Sequence, residues 1–239
     1  MSHLSRNFLI FGVSKGLGKA ILDAVPQTHD RVFGVSRTPP QSKQNVQWIE
    51  ADLSNVYEAI AHIENTIHQE RIDVLIYNVG LWEQKAFSND YDFKNISRNE
   101  IQNMLNVNLH SCILSLQTFM DNLKRSNNAK VILIGSTWGL DNHNGKELIF
   151  SASKYALRGI AQSLREILRE YQIGVSVLNL GYLATDFDIE VPVTEILKAT
   201  DHQLIPLADV IAAINFIIST SAASCVKEIT MPAMADRNI

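Results

Sequence analysis

The sequence predicts an α/β fold: a doubly wound parallel sheet of about seven strands with helices on both faces. Short apolar, β-branched runs alternate along the chain with longer segments of helical periodicity, and each run closes on a polar residue or a glycine. The 239 residues, 46% hydrophobic and 19% charged, suffice for one sizeable core and leave no room for a second. Strands that alternate with helices in this way imply parallel neighbours joined by right-handed crossovers. Residues 1–239 are therefore read as a single domain without internal repeat, low-complexity tract or linker.

In chain order, residues 8–11 are too few for an independent helix and stop at Gly12, while Lys19, Ala20, Ile21 and Leu22 open a helical pattern. The chain reads as strand, tight turn, helix. In the turn, Gly12 lets the backbone leave the strand with dihedrals a side chain would resist. Gly16 lets a ligand approach the backbone, and Gly18 lets the helix lie close to the sheet. Exposed amides at the helix N-terminus, favoured by the macrodipole, would seat a phosphate. Residues 31–37, 46–52, 73–80, 130–136, 173–181 and 228–232 read as further strands, and residues 54–69, 97–125, 151–171 and 206–220 as helices. Residues 38–45, short and carrying Pro39 and Pro40, predict a loop where other crossovers have a helix.

Bulk properties exclude several classes of function. A net charge of −4, from 25 acids and 21 bases without a basic cluster, gives no sign of nucleic acid or of an anionic membrane surface as partner. Cys112 and Cys225 make no disulfide framework, and residues 1–7 lack the apolar core of a signal peptide. No apolar run approaches the roughly 18 residues of a membrane span. The expected setting is soluble, reducing and cytoplasmic.

In such a sheet the ligand lies beyond the carboxyl ends of the strands, at the point where strand order reverses. Arg37 follows the second strand and Lys15 lies in the glycine turn, while no acid ends that strand. An acid there would bind ribose hydroxyls and favour NAD, whereas cations suit a 2′-phosphate. NADP(H) is the expected cofactor; the plain alternative is that Lys15 and Arg37 are solvated surface charges.

Several separated motifs together resemble the short-chain dehydrogenase/reductase family, whose fold is Rossmann-like, and the resemblance covers nearly the whole chain. Gly12, Gly16 and Gly18 match its cofactor turn, with Ser14, Lys15 and Leu17 between them. Asp52, followed by Leu53, matches the residue that contacts adenine, and Tyr77-Asn78-Val79-Gly80 resembles the family's Asn-Asn-Ala-Gly element. Asn108 matches the helical Asn that organises a proton-relay water, and Ser136 the catalytic Ser. Gly181, Leu183 and Thr185 match the turn near the nicotinamide, with Leu180 where proline is usual. The resemblance assigns these residues, with Lys154, to cofactor binding and catalysis.

One departure bears on the chemistry. The family's Tyr-x-x-x-Lys corresponds here to Phe150-Ser-Ala-Ser-Lys154, which keeps the lysine and loses the tyrosine. In the family that tyrosine gives the carbonyl its proton, and the lysine lowers the phenol's pKa and binds the nicotinamide ribose. Phenyl keeps the packing without the proton, and general acid–base catalysis is worth about 10²–10⁴-fold, so ordinary carbonyl reduction should be weakened accordingly. Three residues invite consideration as replacements. Tyr155 adjoins Lys154 but lies about 140° round the helix from Phe150, and reads better as a packed or interface aromatic. Tyr182, after the sixth strand, could offer a hydroxyl or merely wall the pocket. His143, in the loop 138–147, has a side chain suited to proton transfer, though surface histidines are common.

Residues 186–203 correspond to the family's substrate lid. Trp138, Trp82, Tyr182, Phe187 and Ile189 suggest an apolar to aromatic pocket, and equally suit ordinary core positions. Apolar stripes on 97–125 and 151–171 are first of all core-facing; a homodimer or homotetramer is implied by the resemblance alone. The expected function is an NADP(H)-dependent oxidoreductase of a small carbonyl or alcohol, impaired or atypical at Phe150, with no metal. The alternatives are a non-catalytic NADP(H)-binding sensor and a non-redox lyase or isomerase.

Overall fold

A computed structural model describes residues 5–42, 45–141 and 143–236. Seven strands form one parallel sheet in the order β3-β2-β1-β4-β5-β6-β7. They are β1 (Asn7–Phe11), β2 (Arg31–Ser36), β3 (Val46–Glu50), β4 (Val74–Tyr77), β5 (Lys130–Ile134), β6 (Gly174–Leu180) and β7 (Glu228–Met231). The principal crossover helices are α1 (Gly16–Ala24), α2 (Val56–Ile67), α3 (Arg98–Leu105), α4 (Ser111–Thr118), α5 (Met120–Lys124), α6 (Leu148–Ile167), α7 (Val193–Ala199) and α8 (Leu207–Ser219). Strand order reverses between β1 and β4, which pair in register from Phe8 opposite Val74 to Phe11 opposite Tyr77. A crevice opens at the carboxyl ends of these two strands, because their outgoing connections depart to opposite sides.

Alternation of side chains within each strand feeds two cores. Leu9 and Phe11 pack in a layer with Ile60 and Ile63 of α2, Cys112 and Leu116 of α4, and Leu157 and Ala161 of α6. Phe8 and Ile10 pack in the other layer with Ile21 of α1 and Val210 and Ile214 of α8. Burial on both faces explains why the inner strands β1, β2, β4, β5 and β6 read as largely continuous apolar runs, while the edge strands β3 and β7 are only partly buried.

Two helices differ from their expected course, each for a tertiary reason. The helix expected over 97–125 is divided into α3, a π-type turn at Asn106–His110, α4 and α5. The Val107 carbonyl accepts hydrogen bonds from the Tyr77 hydroxyl (2.8 Å) and the Ser111 hydroxyl (2.8 Å), while the Ser111 amide reaches back to the Asn106 carbonyl. A core tyrosine on β4 thereby draws a carbonyl out of the regular ladder. Helix α6 starts at Leu148, three residues before the expected 151, so that Phe150 and Lys154 both lie on it. Its first amides are satisfied from afar: that of Leu148 donates to the Tyr91 hydroxyl (3.2 Å) and that of Ile149 to Glu83 Oε1 (2.8 Å). A buried carboxylate there also suits the helix dipole. The expected loop 38–45 carries no helix in its described residues, 43 and 44 lying outside them, as Asn142 does in the loop 138–147.

Candidate functional site

The crevice holds two adjoining cavities, of about 570 and 630 Å³, each in the size range of small-molecule sites. The first lies over the ends of β1 to β3 and is lined by Gly12, Ser14, Arg37, Asp52 and Leu53. The second lies over the ends of β4 to β6 and is lined by Gly16, Leu17, Ser136, Phe150, Lys154, Gly181, Leu183 and Thr185. Lys15, Asn78, Gly80 and Trp82 border both. Of the residues expected to hold a cofactor, only Gly18 stays out of the lining.

Geometry separates the tasks of the three glycines. A Cβ on Gly18 would stand 1.7 Å from the Gly12 carbonyl oxygen, so α1 can lie where it does only without one. Gly12, at φ +83°, would bring a Cβ to 2.2 Å from the Asn78 carbonyl. Gly16, at φ +54°, would meet nothing nearer than Thr185 at 3.5 Å, which leaves room in front of its backbone. Asn78 Nδ2 donates to the Gly12 carbonyl at 3.3 Å and ties the turn to the end of β4.

At the first cavity, Lys15 and Arg37 are exposed cations, and Asp52 is the one acid in the lining among the described residues. Asp52 Oδ1 accepts from the Ser54 amide at 3.0 Å. The Ser36 hydroxyl donates to the Thr38 carbonyl and accepts from Trp48 Nε1, which holds the end of β2 in shape. The residues present fit a dinucleotide: open backbone at the glycine turn, exposed cations at Lys15 and Arg37 in the lining, and no acid ending β2.

At the second cavity, Lys154 Nζ donates to the Ile134 carbonyl at 2.8 Å and stands 5.3 Å from the centre of the Phe150 ring. Burial pushes its ammonium down to about 8. Ser136 accepts from the Trp138 amide at 3.1 Å, a bond that leaves its own proton uncommitted. Asn108 lines neither cavity. Its Oδ1 accepts from the Leu81 amide at 2.7 Å, and its Nδ2 donates to the Leu81 carbonyl (3.0 Å) and Ser153 Oγ (3.1 Å). The side chain braces the loop after β4 against α6.

None of the three expected substrate-pocket residues, Trp138, His143 and Tyr182, lines either cavity. Trp138 is 5% exposed and stacks on His143, with ring centres 5.8 Å apart, and neither residue lines the two cavities. His143 Nδ1 must accept from the Gly145 amide (3.1 Å), which leaves Nε2–H to donate to Ser151 Oγ (2.9 Å); both ring nitrogens are engaged. Tyr182 packs edge-on against Phe87 and Trp138, and burial, with Asp236 and Glu147 nearby, pushes its phenol up to about 12, making it a poorer acid than a free tyrosine. Tyr155 donates to the Leu140 carbonyl, away from the crevice. Of residues 186–203, Asp186 alone reaches the second cavity.

What covers Phe150 instead is Trp82, from the loop after β4. Their rings stack with centres 3.3 Å and planes 14° apart. That loop is pinned at several points: Leu81 to Asn108, Glu83 Oε1 to the amide of Ile149, and the amide of Phe87 to buried Glu147 at 2.7 Å. Glu83 Oε2 is buried without a hydrogen-bond partner among the described residues. Neither Glu83 nor Glu147 is marked by any local motif, and Phe87, at φ +64°, sits in a conformation that its type does not advertise.

A family model described as short chain dehydrogenase matches residues 6–195. The 3-oxoacyl-acyl-carrier-protein reductase FabG of Aggregatibacter actinomycetemcomitans is 27% identical over 248 residues, covering 95% of this chain and 97% of that protein. The human 17-beta-hydroxysteroid dehydrogenase type 1 is 27% identical over 164 residues, 67% of this chain but only 47% of its own length. Among solved structures, a short chain dehydrogenase family protein from Francisella tularensis superposes with a TM-score of 0.78 at 20% identity, covering 95% of this chain and 97% of its own. A metagenomic short-chain oxidoreductase in complex with NADP gives 0.76 at 22%, covering 97% and 99%.

Proposed function

The chain belongs to the short-chain dehydrogenase family, and from that premise we propose that it is an NADP(H)-dependent oxidoreductase of a small carbonyl or alcohol, slowed by the absence of a phenol at Phe150. What supports the reading is one continuous crevice, lined from Arg37 at one end to Ser136 and Lys154 at the other. A bound reduced nicotinamide would supply hydride. Lys15 and Arg37 would pair with a 2′-phosphate, and the open backbone at Gly16 would admit the pyrophosphate. Lys154 would hold the nicotinamide ribose, and the uncommitted proton of Ser136 would bond the substrate oxygen. Phe150 can give no proton, so the alkoxide left by hydride transfer would take its proton from solvent water reaching the crevice, Tyr182 being a poorer acid than a free tyrosine and His143 being engaged at both ring nitrogens. No helix among the described residues is long and apolar enough to cross a membrane. A cytoplasmic homodimer or homotetramer completes the proposal, with Ile113 of α4 and Ile167 of α6, both half exposed, available to a partner.

A second reading, a non-catalytic NADP(H)-binding protein, is favoured by the ring of Trp82 lying directly over Phe150. One experiment separates the two: NADPH oxidation with aldehydes, ketones and diketones, on this chain and on Phe150→Tyr, with NADPH binding measured on both. The oxidoreductase reading expects binding by both, slow turnover by this chain, and a rate about 10²-fold or more higher with tyrosine. Binding with no turnover above the free-solution rate would favour the second reading, and no binding would end both.

A further inference from the structure

Trp82 is placed as a ligand would be. Its indole lies flat on Phe150, edge-on to Trp138 (centres 5.2 Å, planes 87°) and edge-on to Phe87 (4.5 Å, 63°). Tyr182 packs edge-on against both wall rings, Phe87 and Trp138. The surroundings form a slot with a floor and two walls, shaped for a flat ring system of indole size. The same indole borders both cavities, so the slot opens on the crevice that Ser136 and Lys154 line.

The loop that carries Trp82 is held on both sides of it. Leu81 exchanges two hydrogen bonds with Asn108, and Glu83 caps α6. Emptying the slot therefore falls to rotation of the Trp82 side chain rather than to movement of a lid.

We propose that Trp82 occupies the seat of the substrate's ring and that the substrate is a planar aromatic carbonyl that displaces it. That the ligand is a carbonyl rests on the functional reading above; that the seat takes a flat ring does not. A π system entering the slot recovers the face and edge contacts that the indole gives up, each worth roughly 2- to 10-fold in affinity beyond area burial. A saturated ring of equal volume fills the space without them. Since the indole competes for its own seat, the apparent affinity of this chain is reduced by the fraction of molecules in which the slot is closed.

The test compares this chain with Trp82→Ala and Trp82→Leu, each loaded with NADP⁺ so that no turnover intervenes. Calorimetric titration with 2-naphthaldehyde and with its saturated counterpart, decahydronaphthalene-2-carbaldehyde, should show naphthaldehyde binding at least ~10-fold tighter to Trp82→Ala than to this chain and ~10-fold tighter than the saturated aldehyde. Free indole should bind cofactor-free Trp82→Ala one to one and displace naphthaldehyde. Trp82→Leu, which keeps an apolar filler, gives the same comparison if the alanine variant does not fold. Unchanged naphthaldehyde affinity in the variants, or equal affinity for the two aldehydes, would overturn the proposal. NADPH binding, read separately by nicotinamide fluorescence, tells the two failures apart: its absence removes the functional reading while the indole titration still decides the seat.

Discussion

The two ends of the crevice are built on opposite terms. Over β1 to β3 the lining is open backbone, hydroxyls and solvated cations, with Gly12 placed where a Cβ would collide with the Asn78 carbonyl. Over β4 to β6 the lining is a buried ammonium beneath a stack of aromatic rings. The first end is shaped by what it leaves out. The second is crowded by what it contains, and its buried ammonium is held against a desolvation cost that the bond to the Ile134 carbonyl offsets in part. The contrast teaches that one fold can carry two differently built regions side by side in a single crevice, each open to change without the other.

The largest expected effect breaks the open end. Gly18→Ala forces a Cβ against the Gly12 carbonyl, and should cost about 3 kcal/mol or more in urea unfolding, the upper range for overpacking. Gly16→Ala, which meets only Thr185 at van der Waals distance, should cost about 1–2 kcal/mol, from the positive φ alone. Equal costs would mean that the turn is not packed as described.

Lys154→Met sharpens the comparison at the crowded end. With the folded ammonium pushed down to about 8, against an ordinary lysine value of 10.5, the unfolded chain holds more protons than the folded one between those pH values, so this group's contribution makes stability rise with pH across that window. Below about pH 8 the buried charge costs its full amount. The variant should therefore be more stable by about 2 kcal/mol at pH 7, lose that rise between about pH 8 and 10.5, and bind NADPH more weakly. Unfolding curves at pH 7 and 10 decide it, and a destabilised variant at pH 7 would show that the bond to Ile134 outweighs desolvation.

Arg37→Ala has the smallest expected effect on stability, within about 0.5 kcal/mol, because the side chain is exposed. Its effect should be on cofactor choice: NADPH binding weakened by about 1–3 kcal/mol with NADH nearly unchanged, measured by titration of each. Equal loss of both cofactors would mean that Arg37 does not read the 2′-phosphate.

The sequence alone determined the inner strands, because a strand buried on both faces must be an apolar run, and marked the partly exposed edge strands β3 and β7 by their β-branched and aromatic residues. It also determined the glycine turn, because only glycine tolerates those dihedrals and that proximity, and the placing of Phe150 one helical turn before Lys154. Those are consequences of local chain geometry. The tertiary structure decided how Asn108 spends its hydrogen bonds, why α6 begins at Leu148, why His143 and Trp138 pack outside the crevice lining, and what lies on Phe150. Each of these depends on the loop after β4 meeting α6, with Glu83 and Ile149 separated by 66 positions in the chain. A buried carboxylate that caps a distant helix, or an indole that fills a distant slot, answers to donors and rings that only folding brings within reach, so no spacing along the chain could announce it.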